Sequence, residues 1–143
     1  MKLILSVFLF LSVMNAADFV TKLSPFSVDV TIDKLTKIVK AKGFTVFALV
    51  DHAKGAKGVG LTLADQQVLI FGNPKVGTKI MLKDPLAGFD LPIKVMVFQE
   101  GKKVKVVYRT KEYYATHYSL DSCGSLNKMA GALDKITDKA IGK

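Results

Sequence analysis

The chain has 143 residues, half of them hydrophobic, and 21 Lys and Arg against 12 Asp and Glu, a net charge of +9. That length suits one domain with a real core, and the hydrophobic content excludes an intrinsically disordered segment. The basic excess is lysine scattered over every segment, with Arg109 the only arginine, which argues against a nucleic-acid reader built from clustered Arg forks and aromatics.

In chain order, the first feature is a leader. Lys2 precedes an apolar run from Leu3 to Val13, and Asn15-Ala16-Ala17 offers small residues before Asp18. This is the order of a secretory signal peptide, and the run is too short for the roughly 20 residues of a membrane span. The reading is a signal peptide over residues 1–16 and a single domain over 17–143, periplasmic or secreted, with no membrane span once the leader is removed. A single cysteine, Cys123, excludes an intramolecular disulfide and leaves a thiol that is buried, reactive or joined to another chain.

Phe26-Ser-Val-Asp-Val-Thr31 alternates apolar and polar residues, the pattern of a half-buried strand. A helix is expected next, with Leu35, Ile38 and Val39 on one face, Thr31 as its cap and Gly43 as its end. Phe44 to Val50 is apolar at nearly every position, which predicts a central strand covered on both faces. Gly55, Gly58 and Gly60 weaken any helix in the following segment, at about 1 kcal/mol each in a helix interior. Val68 to Phe71 is a further strand, stopped by Gly72; Asn73 and Pro74 then start a helix through Val76, Ile80 and Met81 that Pro85 ends. Ile93 to Phe98 and Val104 to Tyr108, joined through Gly101, predict an antiparallel hairpin. Tyr113, Tyr114 and Tyr118 fall in a connection. A last helix over about 125–141, capped by Ser125 and ended by Gly142, carries the stripe Leu126, Met129, Leu133 and Ile136.

The order is β-α-β-β-α-β-β plus a C-terminal helix, with a short helix or loop between the second and third strands. This predicts an α+β two-layer sandwich with a mostly antiparallel sheet.

The ordered series Asp51-His52-Ala53, Gly55-Ala56, Val59-Gly60-Leu61, Leu69 to Pro74, Gly77-Thr78, Met81, Gly88, and Asp90-Leu91-Pro92 with Lys94 resembles the family named domain of unknown function 302, over roughly residues 27 to 120. The resemblance implies a compact α+β domain, a homodimer and no established activity. Family members often carry Arg-His near the end of the domain, where this chain has Thr116-His117-Tyr118.

Candidate site residues follow from both readings. Gly72-Asn73-Pro74 stops a strand and leaves backbone N–H groups at a helix N-terminus, a structural turn or a small-ligand cradle. Thr78 lies on the helix it starts. Asp51 and His52 end an apolar strand, and the two segments are expected to border one surface site. Asp84 and Asp90 bracket a loop, as caps or as paired carboxylates. His52 and His117 are the weak metal or haem candidates, helped by Asp51, Cys123, Met81 or Met96. No nucleotide or cofactor motif is present. Three functions remain open: an exported small binding or accessory protein of the cell envelope with an unknown ligand or envelope partner, an enzyme using Asp51 and His52, and a metal or haem carrier.

Overall fold

A computed structural model describes residues 18–143; the expected leader lies outside the described residues. The chain forms β1 (Phe19–Ser24), α1 (Val28–Ala41), β2 (Thr45–Asp51), α2 (His52–Gly58), β3 (Gln66–Gly72), α3 (Pro74–Met81), a 3-10 turn (Pro85–Phe89), β4 (Ile93–Glu100), β5 (Lys103–Arg109), α4 (Lys111–His117) and α5 (Gly124–Ala140). The five strands make one sheet, ordered β1-β5-β4-β3-β2 and antiparallel at every pairing. The expected α+β class and element order hold.

The core lies between one face of this sheet and the helices. Leu69 and Phe71 of β3, Val95 and Val97 of β4, and Val106 of β5 point inward. They meet Leu35 and Val39 of α1, Ile80 of α3 and Leu133 and Ile136 of α5, all buried. Because strand side chains alternate, the intervening residues Val68, Ile70, Met96, Phe98 and Val107 lie on the opposite face, where they are half-buried. Phe19 and Leu23 of β1 are exposed.

Four expectations are corrected. Phe26 to Thr31 is not a strand: Ser27 accepts a hydrogen bond from the Val30 amide and α1 starts at Val28. Within six residues the alternation was real, but Val28, Thr31, Ile32, Leu35 and Val39 form one buried helical stripe that decides the longer segment. The first strand is instead Phe19–Ser24, hydrogen-bonded to β5. β2 is an edge strand, not a central one, and leaves Phe47 and Leu49 about half exposed, at 54% and 50%. Cys123, rather than Ser125, sits at the N-cap of α5, without a side-chain cap bond, and it is buried. The tyrosine segment is helical, because Thr110 caps it by accepting from the Tyr113 amide.

One polar link ties the chain's two ends together. Lys22 of β1 lies 2.7 Å from carboxylate oxygens of both Asp134 and Asp138 on α5, and the Tyr108 hydroxyl donates to Asp134 at 3.0 Å. Partial burial works against the Lys22 charge, but the two aspartates prevail and hold its pKa up at about 12.

Candidate functional site

β3 delivers the chain to a turn at one end of the sheet. Gly72 is its last residue; Asn73 has an extended backbone and accepts from the Lys75 amide at 3.0 Å; Pro74 opens α3. A Cβ on Gly72 would meet Phe47 and Pro92 at 3.6 Å, ordinary contact, so the glycine marks close packing without being demanded by it.

Beside this turn is a cleft of about 310 Å³, at the lower end of the range for small-molecule sites. Phe44 and Phe47 form one side, Val76 and Met81 of α3 another, Leu91 and Pro92 a third, and Met129 and Ala132 of α5 the floor. Polar groups are few: Asn73, Thr78 and Lys128. Thus Gly72, Asn73 and Thr78, all expected site residues, border one cavity. Phe44, Phe47, Leu91, Lys128 and Met129 complete it. The apolar excess of β2 and the stripe of α5 were visible in the sequence, but not that they meet here.

Asp90 stands just before the Leu91-Pro92 wall. Its Oδ2 accepts from the Tyr118 hydroxyl at 2.6 Å and the Tyr113 hydroxyl at 2.9 Å. Burial opposes its charge, but those two hydroxyls, with Arg109 and Lys94 nearby, outweigh it and hold the carboxyl below its ordinary range. The same bond, with some burial, pushes the Tyr118 hydroxyl up to about 12. Lys94 donates to the Asp90 and Pro92 carbonyls at 3.0 and 3.3 Å. The Arg109 guanidinium lies between the Phe19 and Tyr113 rings, 4.2 and 3.9 Å from their centroids. Asp90 is therefore an anchor for the cleft wall. Asp84 is likewise a cap, accepting from the Leu86 and Ser119 amides.

The expectation that Asp51-His52 shares this site does not hold. β2 and β3 are antiparallel, so Thr45 pairs with Gly72 while Asp51 pairs with Gln67. Six residues of strand, about 20 Å, separate the segments. Asp51 is the N-cap of α2, accepting from the Lys54 amide at 2.8 Å, and His52 is exposed in its first turn.

The two histidines are also apart. His117 ends α4, which follows Arg109 at the Gly72 end of the sheet, and it stacks on Tyr113 at 4.1 Å with Nδ1 2.9 Å from the Tyr113 carbonyl oxygen. Met96 lies near Gln66, whose amide nitrogen is 3.4 Å from its sulfur. Among the described residues no three His, Cys, Asp or Glu side chains converge as metal ligands.

Residues 20–140 match the family described as "Domain of unknown function DUF302". The chain belongs to this family. The match takes in β1 and α5, beyond the stretch that the motifs cover. The DUF302 fold is shared with a crystal structure titled an uncharacterized conserved protein DUF302 from Bacillus stearothermophilus, at a TM-score of 0.70 and 20% identity, over 88% of this chain and 97% of that one. Two curated relatives, each named Fluoride-specific ion channel FluC 1, come from Brucella suis biovar 1 (strain 1330) and Brucella abortus biovar 1 (strain 9-941). Each is 35% identical over 126 residues, 86% of this chain and 50% or 47% of the relative. The chain spans about half the length of the curated relatives it matches. Among its described residues no helix is long and apolar enough to cross a membrane.

Proposed function

We propose that this protein is an exported, non-enzymatic binding or accessory protein of the cell envelope that holds a small apolar ligand in the cleft beside Gly72-Asn73-Pro74. The observation that carries the reading is the cleft itself: walls from β2, α3, the Leu91-Pro92 segment and α5, apolar apart from Asn73, Thr78 and Lys128. That lining holds a ligand by excluding water and orients it with a few polar groups; it is poorly suited to moving protons. An envelope setting draws support from the leader pattern.

The protein acts as a homodimer in this reading. Support comes from the exposed apolar residues of edge strand β2 and the apolar second face of the sheet, which in an antiparallel sheet open to solvent is ordinarily polar. Light scattering under reducing conditions should give twice the chain mass, and a monomer at every concentration would remove this part.

The ligand reading is tested by filling the cleft. Gly77 lines it from α3, and a Cβ there meets nothing within 4 Å. Gly77→Phe should keep the fold while abolishing binding of the neutral apolar dye Nile red. Undiminished dye binding by a folded Gly77→Phe protein would count against the cleft.

A further inference from the structure

Phe44, Lys128 and Ala132 of the cleft also line a second, more open hollow of about 500 Å³, so the two cavities adjoin along these residues. The hollow adds Lys42, Asn127, Gly131 and Lys135. Lys128 and Lys135 are seven residues apart on α5, hence on one face two turns apart, and Lys42 reaches the hollow from the end of α1. All three lysines are exposed. Among the described residues no carboxylate lines the hollow; on α5, Asp134 and Asp138 are held by Lys22.

A partly open apolar cleft thus adjoins a shelf with three ammonium groups. We propose that cleft and shelf form one bipartite site for an amphiphilic anion: a short apolar group in the cleft and a carboxylate or phosphate head among Lys42, Lys128 and Lys135. The inference rests on the binding reading above and names its ligand class. The cleft's volume fits a short acyl chain or a single aromatic group better than a long lipid tail. Lysines, as flexible point charges, accept either head without the fixed geometry of an arginine fork. Lys128 belongs to both cavities and sits at the junction where chain and head meet.

The same head chemistry occurs on free acids and on bilayer lipids, and calorimetry with separate arms distinguishes them. Octanoate, octanol and inorganic phosphate are titrated into the protein at low and high salt, and vesicles containing phosphatidylglycerol are tested by co-sedimentation. Octanoate should bind about tenfold more tightly than octanol at low salt, and the preference should shrink at high salt as screening rises. Octanoate should shift the methyl resonances of both Met81 and Met129. The triple variant Lys42→Gln, Lys128→Gln, Lys135→Gln, altered only at exposed positions, should bind octanoate and octanol equally. Vesicle capture that the triple variant loses, without octanoate binding, would assign the head to a bilayer lipid and support the same recognition. Equal octanoate and octanol binding by the unaltered protein would overturn the cationic half and leave the cleft reading standing. Phosphate binding as tight as octanoate would overturn the apolar half. Failure of octanol, octanoate, Nile red and the vesicles alike would overturn both readings.

Discussion

The two ends of the sheet were equally prominent in the sequence and are built differently. At the Gly72 end, a strand terminus, a helix N-terminus, Phe47 of the neighbouring strand with Phe44 just before it, the Leu91-Pro92 segment and α5 converge on one cavity. At the Asp51 end, a strand likewise runs into a capped helix, but the hollow beside it is open and lined by charged and amide groups such as Asp29, Asp51, Lys54 and Gln67, α2 has no buried residue and His52 faces solvent. Both segments carry a turn-and-cap signature, Asp51-His52 and Asn73-Pro74. A cap records how a chain changes direction; a site forms where several elements, distant in sequence, close around a volume. Only the first property is local enough to be read from a motif.

The comparison breaks most visibly through Asp90. Asp90→Ala leaves two tyrosine hydroxyls without their charged acceptor and should cost about 2 kcal/mol, seen as a lower denaturation midpoint. Because the folded carboxyl titrates below its unfolded value, its contribution is fully present above about pH 4 and is lost as pH falls through the lower folded value. Asp90→Asn should flatten this acid limb. If its stability profile between pH 2 and 5 matched that of the unaltered protein, Asp90 would not be the anchor.

A matched pair of caps gives the sharper test. Asn73→Ala and Asp51→Ala each remove a side chain that accepts from a first-turn amide, and each should cost about 1 kcal/mol. Only Asn73→Ala should also weaken Nile red binding, by disturbing the start of α3. Equal weakening in both variants would erase the distinction between the ends. The smallest effect belongs to His52→Ala, which, at an exposed position, should change stability by no more than about 0.5 kcal/mol and leave dye binding unchanged. A larger loss on either measure would return His52 to the functional residues.

Much of the fold was legible because its signals are local. Asn73-Pro74 started α3, Gly101 turned the hairpin, and Gly43 and Gly142, at φ of +75° and +83°, followed the helices they were expected to end. Two apolar segments misled for physical reasons. The alternation in Phe26 to Thr31 fits a strand over six residues and a helix over fourteen, and burial against the sheet settles which period wins. The apolar run of β2 promised a buried centre, but half of its surplus faces outward at an edge, Phe47 toward the cleft. Of the candidate site, Gly72, Asn73 and Thr78 were legible; Phe44, Leu91, Lys128 and Met129 were not, since their proximity exists only after strand order and helix docking are fixed.

The tie between Lys22 and α5 has a consequence for how the polypeptide acquires its structure. Lys22 and Asp138 are 116 residues apart in sequence, and among the described residues β1 pairs only with β5. The first strand of the described chain therefore cannot form its observed pairing until β5 has emerged from synthesis, and its partly buried lysine lacks its observed counter-charges until α5 follows. Closure of so long a loop slows folding relative to local hairpins and helices, so β1 joins the sheet later than the hairpin and helices made of neighbouring residues.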